Sequence, residues 1–341
     1  MTPLSVDNAA DYLRRTGRLA HDACVEVQWL AGGVSNAVFR VRPVQPAGTD
    51  FILKQACERL RVAEPWFCSI ERIWRETAVL RVCHDVVGPQ AVAHGFHLSV
   101  PELLWEDRDE YVYAMPAAAA DAPTWKERLL AGDANPAAGA AIGGLLGRLH
   151  AETWRNEDLA REFGERSFFE ALRLDPYYRH TAQMRPDLAP AFDALLQETA
   201  ASARCLVHGD FSPKNLLVTA DAITLLDFEV GHFGDPGFDL GFFFAHLALK
   251  EHLAQTPALH AVRKEAWEAY YHALSQRLPD DELQSLRLRA TQHLGACLAA
   301  RVDGKSKVDY LTPDLAAWAR ATGAELLTTP QDAAAVWLPH V

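Results

Sequence analysis

Residues 206–218 read LVHGDFSPKNLLV. Two apolar runs, Leu206-Val207 and Leu216–Val218, frame a polar loop that holds His208, Asp210, Lys214 and Asn215. A second apolar run, ITLLDFE (Ile223–Glu229), follows a short turn at Ala220-Asp221. Read as two short strands, these runs bring Asp210, Asn215, Asp227 and Glu229 around one crevice. Carboxylates and an amide oxygen are hard ligands of the kind Mg²⁺ takes while keeping water and phosphate oxygens for the rest of its shell. Asp210 is then placed to accept a hydrogen bond from a substrate hydroxyl, as a base or an orienting group. Phosphoryl transfer asks mainly for such positioning and for charge neutralisation.

The rest of the composition narrows the field. The 341 residues suit one large domain or two lobes, and 49% hydrophobic content supports a well-buried core. A formal net charge of −12 argues against a nucleic-acid partner, which needs a basic face. None of the six cysteines has CxxC spacing, so reduced, mostly buried thiols are expected. No apolar signal core opens the chain and no apolar run reaches spanning length, so the expectation is a cytoplasmic protein with no membrane partner.

Patterning divides the chain in two. A short helix is expected over residues 6–16, ended by Gly17. VEVQWLAGG, NAVFRVRP and DFILKQA read as an antiparallel meander, and a helix follows over Ser69–Cys83. GFHLSVPELLWED and EYVYAMP add two strands, and Pro116 with Ala117–Ala120 reads as a linker. Beyond it helical spacing dominates, and the glycines of NPAAGAAIGGLLGRLHAETW imply close helix packing. The expectation is an α+β, bilobal chain. Residues 1–116 form a small lobe of antiparallel sheet with one main helix, and residues 117–341 form a larger, mostly helical lobe.

HGDFSPKN, followed by LLDFEVGHFGDPGFDLG, resembles the catalytic and metal-binding segments of the aminoglycoside phosphotransferase and choline kinase superfamily, whose fold is protein-kinase-like. The Asp-x-Glu spacing and the Gly-Phe-Asp that follows are similar to 5-methylthioribose kinases. The resemblance implies ATP and Mg²⁺ as cofactors, Asp210 as the catalytic residue, and Asn215, Asp227 and Glu229 at the metal. It also implies that His208 and Asp239 brace the loop. LAGGVSNAVFRV resembles the hairpin that covers phosphates, with Gly32, Gly33 and Ser35 near its tip, where glycine lets backbone N–H groups approach oxygens. The family's lysine maps to Lys54, paired with Glu76 or, as the alternative, Glu71. Backbone around Tyr113–Met115 is expected against adenine.

The short interval from Asp227 to Gly234 leaves no room for a protein-kinase activation segment, so a small-molecule hydroxyl is the expected acceptor. Arg173 and Arg179 in ALRLDPYYRHTA, and Arg301, Lys305 and Lys307 in CLAARVDGKSKVDYL, are candidate contacts for it, with Arg301 chosen. A cationic acceptor pocket favours a sugar-like metabolite over an aminoglycoside, the alternative substrate. A nucleotide-binding scaffold without activity and a metal-dependent hydrolase using His208, Asp210, Asp227 and His232 are the readings from other classes.

Overall fold

Alternating apolar and polar residues make β1 (Cys24–Trp29) a strand with every second side chain half-buried. It pairs antiparallel with β2 (Asn36–Gln45), and β2 with β3 (Phe51–Ala56). The computed structural model describes residues 2–30, 35–61 and 66–340. Gly32 and Gly33, expected at the hairpin tip, lie outside the described residues. Two short strands, β4 (Val92–Ala93) and β5 (Phe96–Ser99), precede β6 (Trp105–Asp107) and β7 (Val112–Pro116). The first sheet runs β1-β2-β3-β7-β6, with α1 (Ala9–Arg15) packed on it through Tyr12 and Leu13.

The main helix of this lobe is α2 (Arg72–Val87), which begins three residues later than the sequence pattern indicates and ends at Gly88. Its inner face, Ile73, Leu80, Cys83 and Val87, joins the core of the helical lobe. That lobe begins with α3 (Trp125–Leu130), whose Thr124 and Glu127 form a capping box, and α4 (Pro136–Glu152). Short helices α5 (Glu157–Phe163) and α6 (Ser167–Phe169) lead into a π-helical segment, Glu170–Arg179, that contains Pro176. Helices α7 (His180–Met184) and α8 (Ala189–Ala201) follow. The opening stretch then supplies β8 (Cys205–Val207), β9 (Leu216–Val218), β10 (Ala222–Leu225) and β11 (His232–Gly234). Helices α9 (Pro236–Ala254), α10 (Pro257–Ser275), α11 (Asp280–Asp303), α12 (Pro313–Thr328) and α13 (Pro330–Trp337) complete the chain. Among the described residues no helix is long and apolar enough to cross a membrane.

One expectation needs correction. GFHLSVPELLWED is two strands rather than one, and only its end, Trp105–Asp107, joins the first sheet. Phe96–Ser99 instead pairs in parallel with β10, in a sheet ordered β4-β5-β10-β9. Pro101 and the turn after it separate this strand from β6. Residues before 116 thus help to build the sheet that carries the catalytic loop.

The glycines of α4 do what their spacing indicates. Gly139, Gly143 and Gly147 face Val262, Ala266 and Tyr270 of α10, and a Cβ on Gly143 would stand 1.9 Å from the Ala266 carbonyl oxygen. Replacing Gly143 with valine should therefore force α4 and α10 apart and cost about 3 kcal/mol or more. Chemical denaturation of the variant measures that loss, and an unchanged midpoint would contradict the packing.

Candidate active site

Four segments converge on the crevice. The loop between β8 and β9 carries Asp210 and Asn215. The turn after β10 carries Asp227 and Glu229. From the first lobe, β3 and α2 supply Lys54 and Glu76.

The catalytic loop is held from behind. Asp239, fully buried in the first turn of α9, accepts the backbone N–H groups of His208 at 2.7 Å and Gly209 at 2.8 Å. His150 Nε2 lies 3.2 Å from the same carboxylate, with Tyr270 behind its other nitrogen. Gly209 has φ +76°, and a Cβ there would meet the Val230 carbonyl oxygen at 2.8 Å. His208 accepts the Asp210 N–H at Nδ1, which puts its ring proton on Nε2, 3.1 Å from the Leu226 carbonyl oxygen. Burial lowers the His208 pKa, so the ring is a neutral brace.

Asp210 itself is 1% exposed. Its Oδ2 takes Arg173 Nη2 at 2.8 Å, Lys214 Nζ at 2.9 Å and Asn215 Nδ2 at 2.8 Å. Its Oδ1 is buried and has no partner among the described residues. Burial opposes ionisation of Asp210, but Arg173 and then Lys214 hold its pKa below the usual carboxylate range. The group is an ionised acceptor with one lone oxygen, better suited to aiming a hydroxyl than to removing its proton early. The sequence pattern singles out Arg173 only as an acceptor contact. It is a buried positioning residue for Asp210 and also donates from Nε to the Gly209 carbonyl oxygen.

On the other wall, Lys54 Nζ lies 2.6 Å from both Glu76 Oε1 and Asp227 Oδ1. Glu71, the alternative partner, instead receives the Tyr111 hydroxyl at 2.6 Å. Asp227 is a non-glycine residue at φ 73°, a backbone geometry that concentrates at functional sites. Burial opposes its charge, yet Lys54 and then Lys214 hold its pKa far below normal. Burial pushes Glu76 up to about 7 against the pull of Lys54.

Carboxylate oxygens of Glu76, Asp227 and Glu229 lie within 4.8 Å of one another, a donor set that fits a hard divalent cation. Asn215 spends its Nδ2 on Asp210, which leaves its carbonyl oxygen as the remaining ligand atom. Glu229, expected at the metal, lies in this set and also holds protein partners. Its Oε1 accepts from Ser35 Oγ at 2.6 Å, and its Oε2 accepts from Asn36 Nδ2 at 2.9 Å and Arg72 Nε at 3.1 Å. Arg72, fully buried, also donates to the carbonyls of Ser35, Cys57 and Cys68. Glu229 thus staples the metal segment to β2 and α2. Ser35 faces it through its hydroxyl rather than standing free at the hairpin tip. Asn36 and Arg72 escape a sequence reading because a buried Arg–Glu pair separated by 157 residues leaves no local pattern.

Tyr113 is interior to the first sheet, opposite Lys54 of β3 and Glu106 of β6. Met115 lies opposite Ile52, and pairing with β6 stops at Ala114. Backbone directions alternate, with the Ala114 carbonyl turned to Leu104 and the Ala117 N–H turned to Asp50. The edge open to a ligand therefore begins at Pro116 rather than at Tyr113–Met115, whose backbone belongs to the sheet. His232 stacks on Phe169 at 4.0 Å with Nδ1 at 3.0 Å from the Val230 carbonyl oxygen, and among the described residues the acidic cluster of Glu76, Asp227 and Glu229 does not include it.

Because Glu76 is raised from 4.5 to about 7, the folded state holds a proton that the unfolded chain releases. Stability from this proton is full below about 4.5 and is lost as pH rises through 7. Glu76→Gln should flatten the pH dependence of Tm across that window, and thermal denaturation at several pH values tests it. An unchanged slope would place the titrating proton elsewhere.

The family model described as "Phosphotransferase enzyme family" matches residues 26–277. A methylthioribose kinase of Enterobacter sp. (strain 638) is 25% identical over 279 residues, which cover 72% of this chain and 65% of that protein. The chain thus spans just under two thirds of that relative's length. Among solved structures, an ethanolamine kinase of Plasmodium vivax is similar with a TM-score of 0.56 at 13% identity, covering 96% of this chain and 89% of that one. The amicoumacin kinase hAmiN, in complex with AMP-PNP and Ca²⁺, is similar with a TM-score of 0.51 at 16% identity, covering 94% and 93%. These neighbours share the protein-kinase-like α+β fold, and the match across most of the sequence places the chain in the phosphotransferase enzyme family.

Proposed function

We propose that the protein is a kinase of small molecules that moves the γ-phosphoryl group of ATP, with Mg²⁺, to a hydroxyl of a sugar-like metabolite. The observation that carries this reading is the lone Oδ1 of Asp210, a buried and ionised acceptor beside a carboxylate cluster. The acceptor hydroxyl donates to that oxygen. Its own oxygen forms the new bond to phosphorus as the bond to the β-phosphate oxygen breaks, and ADP leaves with that electron pair. Asp210 takes the proton late, in keeping with its depressed pKa.

Asp227 and Asn215 are the proposed metal ligands, with Glu229 as the brace beside them. Magnesium bound there neutralises charge on the phosphates. Lys54, oriented by Glu76, binds the phosphates from the first lobe, and backbone from Pro116 onward receives the base. The similarity to methylthioribose kinase supports a sugar-like acceptor, and the nucleotide analogue and divalent cation in the hAmiN structure support the cofactors.

Release of ADP from Mg²⁺-ATP across sugars, amino alcohols, methylthioribose and aminoglycosides tests the proposal. Acceptor-dependent release is expected, and Asp210→Asn should lower kcat by about 10²- to 10⁴-fold with nucleotide binding retained. Nucleotide binding with no acceptor-dependent release would instead favour a scaffold. In the same assay Lys54→Met should weaken nucleotide binding by at least about tenfold, the loss of one charge-assisted contact.

A further inference from the structure

Near Arg173, the partner of Asp210, the helical lobe buries a second group of charges. Arg301 of α11 is 6% exposed and Lys250 of α9 is 1% exposed. Arg301 Nη1 donates to the carbonyl and hydroxyl oxygens of Ser306, and its Nη2 lies 2.6 Å from His246 Nε2. Arginine only donates, so His246 accepts there and is the neutral tautomer with its proton on Nδ1. Lys250 Nζ donates to the His246 carbonyl oxygen at 3.1 Å and to the Tyr310 hydroxyl at 3.2 Å.

Among the described residues, neither cation forms an ion pair. Asp309, the nearest acid acting on Lys250, is taken by Lys126 at 2.7 Å. Most other buried cations have a carboxylate: Lys54 has Glu76 and Asp227, Arg72 has Glu229, Arg173 has Asp210 and Arg263 has Glu251. Arg287, held by Gln284 and the Leu338 carbonyl oxygen, is a lone buried cation, whereas Arg301 and Lys250 form a group of two. Two like charges kept out of water without a counter-charge are costly.

The pair also adjoins the catalytic loop. The Phe242 ring has the Arg301 guanidinium 5.1 Å from its centre and that of Arg173, the partner of Asp210, 5.8 Å from it. Tyr177 continues this aromatic floor, 4.8 Å from Arg301.

Resting on the kinase reading above, we infer that the acceptor carries an anionic group, a carboxylate or a phosphate ester, held by Arg301 and Lys250 while its hydroxyl meets the free oxygen of Asp210. The anion supplies the counter-charge that the fold withholds. His246 sets the fork of Arg301, and Phe242 and Tyr177 support the carbon chain between the two ends. A polycation placed here would meet Arg173, Lys214, Lys250 and Arg301 and be repelled. Burial and then Arg301 and Lys126 lower the Lys250 pKa to about 7, opposed only by Asp309. An arriving anion restores the proton, so its affinity should fall as pH rises above about 7.

The test has two arms on the full chain. In the first, inorganic phosphate is titrated by calorimetry into protein saturated with AMP-PNP and Mg²⁺. Binding is expected, and Lys250→Met and Arg301→Met should each weaken it at least tenfold. Lys250→Met, which removes an uncompensated charge, should fold with an equal or higher Tm. In the second arm, ADP release is compared within matched pairs, gluconate against glucose and ribose 5-phosphate against ribose. The anionic member should have a KM at least tenfold lower, Lys250→Met should erase that difference, and the better pair separates carboxylate from phosphate. Turnover that ignores charge, or that prefers neutral or cationic acceptors, overturns the inference and leaves the kinase reading standing. Phosphate binding that depends on Lys250 and Arg301, with no turnover, supports the anion site and counts against the kinase reading. Absence of both phosphate binding and a charge preference overturns the inference.

Discussion

Asp239 accepts two consecutive backbone N–H groups, those of His208 and Gly209, from a position with no solvent exposure. A buried carboxylate is tolerable only when its lone pairs are filled, and a loop without regular secondary structure must find partners for its own amides. Each group meets the other's requirement. Burial opposes the Asp239 charge, and the bonds from His150 and the His208 backbone hold its pKa below normal. Because α9 is fixed in the core by Phe238, Leu240, Phe242, Phe243 and Phe244, the loop that presents Asp210 inherits the rigidity of that helix.

Around this anchor the protein distributes charge unevenly. The crevice between the lobes concentrates carboxylates, with Lys54 set between Glu76 and Asp227. Arg173 and Lys214 pair with Asp210, and across Phe242 from Arg173 lies Arg301, with Lys250 close to it through His246. Three donors on one oxygen of Asp210 leave the other buried and without a partner among the described residues. The net charge of −12 says nothing of this arrangement, since it sums over the whole chain whatever the position of each group.

A second constraint joins the lobes. Glu229 follows Asp227 by two residues and receives Ser35, Asn36 and Arg72. The turn after β10 cannot shift without breaking the buried Arg72–Glu229 ion pair, which holds Asp227 in place beside Lys54. Pairing of β5 with β10 makes a further connection, which ties the catalytic sheet to residues early in the chain.

The sequence alone determined the elements that are locally encoded. The alternation in β1, the strand runs of β2 and β3, the glycine-rich face of α4 and the HGDFSPKN loop are all legible, because periodicity and spacing act over a few residues. The resemblance carried by that loop located Asp210, Asn215, Asp227, Lys54 and Glu76 in the crevice. Only the tertiary structure decided which groups those residues meet. Arg173 against Asp210, Arg72 against Glu229, β5 against β10 and Arg301 against His246 join residues far apart in the chain. Their pairing is fixed by burial, where an unmatched charge is expensive, and burial is a property of the packed chain that no local pattern carries.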